Sequence, residues 1–134
     1  MKFTVLSFLF LLMIYSCNQD SCVDIDCTDH IEIITVQVVD TQNSPVTLDS
    51  ILVTNHVVLL DYTEELSQFQ DSEEFGTYAI ASDLQAASID DFGSDITLLG
   101  WLEGKLVVDE VFLVGQDCCH VTMIEGNETI QLDI

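Results

Sequence analysis

Alternation of apolar and polar side chains along most of the chain predicts short β-strands. In the segment 30–40, Ile34, Val36 and Val38 alternate with polar residues, which is the two-residue period of a half-buried strand. Similar patterns, rich in β-branched residues, predict seven or eight strands in the segments 30–40, 46–54, 57–60, 77–80, 96–101, 106–114, 119–124 and 129–134.

Turn-forming residues separate these segments, and helical patterns are scarce. The sequence 41–45 has turn chemistry, Glu103-Gly104 predicts a hairpin turn, and Gly126-Asn127 predicts a second one. Ser82-Asp83-Leu84-Gln85 matches a capping box and predicts a brief helix. The polar segment 62–74 permits one helical turn. Because no amphipathic helix is long enough to cover a parallel sheet, we expect an all-β fold, an antiparallel β-sandwich of about seven strands.

An apolar run at residues 3–15 precedes this body. It follows Lys2 and is broken only by Thr4 and Ser7. A helix of this length rises about 20 Å, less than the roughly 30 Å hydrocarbon core of a bilayer. The run therefore predicts a signal helix rather than a permanent transmembrane anchor.

The residues that end this run, Ile14-Tyr15-Ser16-Cys17, resemble the lipobox of bacterial lipoproteins. The resemblance implies cleavage before Cys17 and attachment of lipid, including palmitate, to that cysteine. Tyr15 departs from the commonest lipobox, which has a small residue there. A plain signal peptide cut near Ser16 is the alternative, but lipidation also explains the odd cysteine count. The expected organisation is a signal peptide at 1–16, an acidic tether at 17–26 and a β-sandwich domain at 27–134.

The residue after Cys17 bears on the location in the cell envelope. An Asp at this position commonly retains lipoproteins in the inner membrane, and the chain has Asn18 instead. The resemblance therefore implies the outer membrane, with the domain facing either the periplasm or the cell surface.

The charge balance restricts the partners further. Lys2 and Lys105 are the only basic residues against 24 acidic ones, giving a formal net charge of -22. This excludes nucleic-acid binding, because so few cations cannot neutralise phosphates, and it excludes electrostatic docking on anionic lipid. Attachment to the membrane must then depend on acyl chains. We expect one further partner, a protein or a glycan, that is not strongly acidic.

The remaining cysteines predict two disulfide bonds. An exported chain meets an oxidising compartment, so the even set Cys22, Cys27, Cys118 and Cys119 is expected to be paired. A vicinal Cys118–Cys119 bond is strained, and the other two connectivities, which both tie the N-terminal segment to the chain near residue 118, stay open. A zinc site made of these thiols with His30 and His120 lacks the usual ligand spacings.

Two motifs resemble the transthyretin-like carboxypeptidase regulatory domains. Val36-x-Val38-Val39-Asp40 followed by Ser44-Pro45-Val46 resembles their opening, and the segment 112–121, which contains Cys118-Cys119-His120-Val121, resembles a terminal segment of exported lipoproteins that carry this domain. The middle of the chain, 61–94, departs from the family except for Gly76-Thr77-Tyr78. The resemblance implies a transthyretin-like or immunoglobulin-like sandwich without catalytic activity. It also implies a bond between Cys27 and Cys119, and we accordingly prefer Cys22 with Cys118.

Motifs for catalysis are absent from the sequence. There is no Gly-x-Ser-x-Gly and no His-Glu-x-x-His, and His30, His56 and His120 are more typical of structural or surface histidines. The sequence therefore favours a binding or structural accessory protein that is not an enzyme and needs no cofactor or metal. The alternative is a calcium-dependent binding protein or an enzyme that uses two aspartate clusters, Asp24, Asp26 and Asp29 with Asp90, Asp91 and Asp95.

Overall fold

The computed structural model describes residues 25–70 and 76–134. The signal helix expected at 1–16, the lipid attachment at Cys17 and the thiol of Cys22 lie outside these residues.

The described residues form a sandwich of two packed β-sheets. Eight strands are present: β1 (Ile33–Val39), β2 (Ser50–Asn55), β3 (Leu60–Asp61), β4 (Thr77–Ser82), β5 (Ser94–Leu102), β6 (Lys105–Gln116), β7 (Val121–Glu125) and β8 (Thr129–Gln131). One sheet has the order β4-β1-β8 and the other the order β3-β2-β5-β6-β7. The predicted all-β sandwich is confirmed.

The helical elements are short. An α-helix of one turn, α1, covers Thr63–Leu66 and is followed by a 3-10 helix at Ser67–Phe69. A second 3-10 helix, Asp83–Ser88, begins at the predicted capping box, where the Gln85 side chain accepts a hydrogen bond from the Ser82 backbone amide at 3.0 Å. The helix predicted from this motif is confirmed.

The β5–β6 hairpin is the longest pairing in the fold. Its turn residues Glu103 and Gly104 both have positive φ, 51° and 73°, which is the backbone of a type I′ turn. This turn matches the right-handed twist of the strands, so the hairpin extends from Leu102 and Lys105 back to Ser94 and Val114. The hairpin predicted at Glu103-Gly104 is confirmed.

The second predicted hairpin, at Gly126-Asn127, is wrong. Strand β7 pairs with β6 in the five-stranded sheet, whereas β8 pairs with β1 in the other sheet. The β1–β8 pairing is parallel, so the sandwich is not purely antiparallel. At Gly126, φ is 147° and an added Cβ would lie 2.5 Å from the Phe112 ring, so the chain passes close to the core as it crosses between the sheets.

The strand predicted at 57–60 is also wrong. Val57, Val58 and Leu59 form a turn, and only Leu60–Asp61 pairs with the end of β2. The buried Asn55 side chain accepts the backbone amide of Val57 at 2.9 Å, and this bond favours a turn over a continued ladder.

The core lies between the two sheets and takes alternate residues from each. Val36, Val38, Tyr78 and Ile80 come from the three-stranded sheet, and they meet a larger set from the five-stranded sheet: Val53, Ile96, Leu98, Val108, Phe112 and Val114. The described residues thus form one core, which holds the loops at both ends of the sandwich in place.

Candidate functional site

A disulfide fastens the first described segment to the sandwich. Cys27 bonds to Cys119, which lies 92 residues further along the chain in the loop between β6 and β7. The predicted Cys27–Cys119 pairing is confirmed. Cys118 is also disulfide-bonded, but the pairing with Cys22 stays a prediction because Cys22 lies outside the described residues.

The two adjacent cysteines lie in a loop and not on a strand. Strand β6 ends at Gln116, and Cys118 has a φ of 53°. The Asp117 carboxylate accepts the backbone amides of Cys119 at 3.0 Å and His120 at 2.9 Å. These bonds lower the pKa of Asp117, with the bond from His120 contributing most. The loop is therefore held by its own side chain next to the disulfide.

His120 lies at the centre of a hydrogen-bonded chain beside this disulfide. Its Nδ1 lies 2.7 Å from Asp83 Oδ2, and its Nε2 lies 2.8 Å from Thr28 Oγ1. The side chains of His120 and Asp83 are only 19% and 14% exposed, so the pair is largely shielded from water. One imidazole thus joins the segment that carries Cys27 to the second 3-10 helix.

The Asp83 carboxylate connects three parts of the fold. Besides the bond with His120, Oδ2 accepts the backbone amide of Glu32, just before β1, at 2.8 Å. Oδ1 accepts the backbone amide of Val121, the first residue of β7, also at 2.8 Å. Both oxygens are therefore used, and the carboxylate fixes the relative positions of β1, β7 and the end of β4.

This environment shifts the pKa values of both partners toward the charged forms. Burial raises the pKa of Asp83, but the hydrogen bonds from His120, Glu32 and Val121 outweigh burial and hold the pKa below its ordinary value. The hydrogen bond to Asp83 is the main cause that raises the pKa of His120, and the charges of Asp83, Asp117 and Glu32 add to it against the opposing effect of desolvation. The pair therefore favours carboxylate and imidazolium.

A second histidine stacks on the first. The rings of His30 and His120 are 4.8 Å apart between centroids with an angle of 28° between their planes. His30 Nε2 also contacts Glu32 Oε1 at 2.6 Å, in a pair that is exposed to solvent. The stack covers one side of the His120 imidazole.

Sequence reasoning missed the two residues that complete this cluster, Asp83 and Thr28. The capping box drew attention to Ser82 and Gln85, and nothing in the local sequence marks Asp83 as a partner of a histidine 37 residues away. The sequence around Thr28 likewise carries no signal for a contact with a histidine. The neighbouring cysteines were the one available signal, because a Cys27–Cys119 bond brings residues 28 and 120 together.

The aspartate clusters do not come together as ligands. Asp26 and Asp29 are exposed, and Asp90 stabilises its own turn by accepting the Phe92 amide at 2.8 Å. Asp24 lies outside the described residues. Within 25–70 and 76–134, no three His, Cys, Asp or Glu side chains are grouped so that they could hold a metal ion. The geometry therefore gives no support to the calcium alternative.

A separate cavity of about 520 Å³ lies beside the point where β7 leaves β6. Its lining includes Asp95, Glu110 and Glu125, together with Val111 and Leu113. Three carboxylates around one cavity favour a cationic or neutral group and repel an anion. The Cys27–Cys119 cluster does not contribute to this lining.

Comparison with known proteins gives no match to a family model, to a curated protein or to a solved structure.

Proposed function

We propose that this protein is a lipid-anchored envelope lipoprotein whose β-sandwich has a non-catalytic binding or structural accessory role. Support for the anchor comes from the apolar run 3–15 followed by Cys17, a pattern that resembles lipoprotein signals. In the described residues, no helix is long and apolar enough to cross a bilayer. The proposal places the domain at the outer membrane, facing the periplasm or the surface, with a protein or glycan partner.

The junction at Cys27 is the observation that carries this proposal. Only nine residues separate Cys17 from Cys27, where the chain becomes covalently bonded to the sandwich. The Thr28–His120 hydrogen bond and the Glu32–Asp83 hydrogen bond add two further attachments within five residues. One disulfide and two hydrogen bonds thus attach this segment to the domain. Such a junction suits a membrane anchor, because a pull on the anchor would not detach the segment from the sandwich.

We also propose that the sandwich is of the transthyretin-like kind. The two-sheet architecture supports this, as does the Cys27–Cys119 pairing that the resemblance implied. The parallel pairing of β8 with β1 is a feature that the resemblance did not predict.

Metabolic labelling tests the anchor directly. The full chain is expressed with its own N-terminus in a Gram-negative host fed radiolabelled palmitate, and intact mass is measured on the membrane fraction. We expect label and a mass that shows cleavage before Cys17, both lost in Cys17→Ala. The matched control, Cys22→Ala, should keep the label. A mature protein that retains Met1 and carries no acyl chain would overturn the proposal.

A second candidate function rests on one specific observation. The order Thr28 hydroxyl, His120 imidazole and Asp83 carboxylate is that of a nucleophile, a base and an orienting acid. Its chemistry is opposed by the raised pKa of His120, because an imidazolium cannot accept the hydroxyl proton. A fluorophosphonate probe tests it: covalent labelling at alkaline pH that disappears in Thr28→Ala and His120→Ala would support an enzyme. The accessory role predicts no labelling at any pH.

A further inference from the structure

Exposed apolar side chains are concentrated at one end of the sandwich. We call this the tether end and define it as residues 25–33, 56–60, 84–93 and 117–120, the end that carries the Cys27–Cys119 bond. Within the described ranges 25–70 and 76–134, nine of the thirteen exposed large hydrophobic residues belong to it: Ile25, Ile31, Ile33, Val57, Val58, Leu59, Leu60, Leu84 and Phe92. An exposed apolar surface of this kind marks an interaction site.

Backbone and side-chain contacts bring these segments side by side. The His56 amide donates to the Asp95 carbonyl at 3.0 Å, which joins the turn 56–59 to the start of β5. The Gln116 side chain donates to the Ile89 carbonyl at 3.1 Å, which joins the loop 89–93 to the end of β6. Val57 and Val58 line a shallow cavity together with Ile89. These contacts place the turn 56–59, the loop 89–93 and the end of β6 at the same end of the sandwich as the disulfide.

The two most exposed apolar side chains, Leu59 and Phe92, lie in turns that side-chain hydrogen bonds stabilise. Leu59 is 85% exposed at a φ of 57°, a conformation that costs energy for a side chain with a Cβ, and Phe92 is 92% exposed. The Asn55 side chain accepts a hydrogen bond from the Val57 amide, and the Asp90 side chain accepts one from the Phe92 amide. Polar side chains therefore stabilise both turns. Large apolar residues at the tips of fixed turns do not stabilise the core, and they are free to enter an apolar environment.

We propose that the tether end rests on the lipid bilayer, with Leu59 and Phe92 inserted at the membrane interface. This inference rests on the proposed acylation of Cys17. The ten residue-to-residue steps from Cys17 to Cys27 span at most about 36 Å, so an acylated Cys17 keeps the tether end within that distance of the membrane. The lipid anchor already holds the domain at the membrane surface, so the apolar side chains need no further interaction to reach the bilayer. Their insertion removes apolar surface area from water.

The acidic residues of the tether end restrict which partner can cover its apolar side chains. They favour a lipid surface over a second copy of this chain. Asp90 and Asp91 directly precede Phe92, and Asp61 directly follows Leu60. Two tether ends packed face to face would bring these carboxylates together in a chain of net charge -22. On a bilayer they can remain at headgroup level, provided that the headgroups are zwitterionic. Anionic lipid should weaken the contact.

Single-tryptophan reporters test this orientation in the lipidated full chain. The chain has one tryptophan, Trp101, seven residues along β5 from Ser94 and therefore about 23 Å from the tether end. The variants F92W and L59W are made in a W101F background, and the protein is reconstituted in phosphatidylcholine vesicles whose acyl chains are brominated near the headgroup. Bromine quenches indole fluorescence only at close range. We expect roughly half of the F92W and L59W emission to be lost, as for side chains about 5–10 Å below the headgroups, and the native Trp101 emission to be unchanged.

The controls separate failure of this inference from failure of the anchor. V111W in the same background places the reporter on an exposed site of β6, outside the tether end, and should not be quenched. If the protein floats with the vesicles but F92W and L59W are unquenched, the inference is overturned and the anchor stands. Quenching of Trp101 or V111W as strong as that of F92W would mean that the sandwich lies on its side, which also overturns it. Failure to float would overturn the proposed anchor. Replacing part of the lipid with phosphatidylglycerol should reduce the quenching, and an increase would contradict the charge argument.

Discussion

Asp83 and His120 form an ion pair in which Asp83 Oδ2 lies 2.7 Å from His120 Nδ1. The pair joins the start of the second 3-10 helix to the loop that carries Cys119, and Thr28 extends it to the segment that carries Cys27. The position where the segment 25–32 meets the sandwich is therefore set by a titratable contact as well as by a covalent bond.

We predict that this contact makes the stability of the domain depend on pH. The pKa of His120 is raised on folding, so its contribution is fully present below its unfolded pKa of about 6.5 and is lost as pH rises through the folded pKa. The pKa of Asp83 is lowered on folding, so its contribution is present above about 3.8 and is lost as pH falls through the folded pKa. Thermal melting from pH 4 upward should show a maximum between these limits and a decline as the pH rises from about 6.5 through the folded pKa of His120.

The matched variant for this prediction is His120→Gln, which keeps a polar side chain but cannot be charged. Its melting temperature should be lower than that of the wild type at pH 6, and the difference should shrink at alkaline pH, where the wild-type imidazole is neutral. Parallel pH profiles in the two proteins would show that the pair does not contribute.

We predict that removal of the Cys27–Cys119 bond lowers the free energy of unfolding by about 2–3 kcal/mol, because the predicted Cys22–Cys118 bond would still close nearly the same long loop and only a small additional ring would open. The double variant Cys27→Ser/Cys119→Ser isolates this bond, since reducing agents would also break the bond made by Cys118. Urea unfolding monitored by circular dichroism measures the change. A loss below about 1 kcal/mol would mean that the hydrogen bonds of Thr28 and Glu32 hold the segment without the disulfide.

Sequence patterns predicted those parts of the fold that are determined by residues close together in the chain. The alternation of Ile34, Val36 and Val38 predicted β1, and Glu103-Gly104 predicted the long hairpin, because each pattern determines the conformation of neighbouring residues alone. The capping box at Ser82 succeeded for the same reason.

Predictions failed where the outcome depends on distant residues. Gly126-Asn127 has the composition of a hairpin turn, but the contact of Gly126 with Phe112 and the pairing of β8 with β1 send the chain to the other sheet. The apolar run from Val57 to Leu60 predicts a strand because apolar residues are usually buried, whereas Val57 to Leu59 form an exposed turn and only Leu60 pairs with β2. The Asp83–His120–Thr28 chain joins three segments that only the folded topology brings together.

We predict that Asn55→Ala destabilises the domain by about 3 kcal/mol, because several buried groups lose their partners at once. The fully buried Asn55 amide donates to the Tyr62 hydroxyl at 2.8 Å and to the Ser88 carbonyl at 2.9 Å, and its oxygen accepts the Val57 amide. Tyr62→Phe, the control, removes one member of this network and should cost about 1 kcal/mol. Because the same network holds the turn that carries Leu59, hydrogen exchange of the Val57 amide should accelerate in Asn55→Ala. Equal losses of stability in the two variants would contradict this assignment of the Asn55 hydrogen bonds.

The central β5 strand contains one position where a substitution should increase stability. Thr97 is 5% exposed, and no described residue forms a hydrogen bond with its Oγ1. A buried hydroxyl without a partner costs about 1–3 kcal/mol, and valine has nearly the same shape without the polar atom. Thr97→Val should therefore raise the free energy of unfolding by about 1 kcal/mol in a urea titration. Thr97→Ser provides the opposite control, because it keeps the hydroxyl, removes the methyl group and should lower stability by about 1 kcal/mol. A loss of stability in Thr97→Val would show that the hydroxyl has a partner in solution, and water bound between Thr97 and the neighbouring Thr54 of β2 would then be the first candidate.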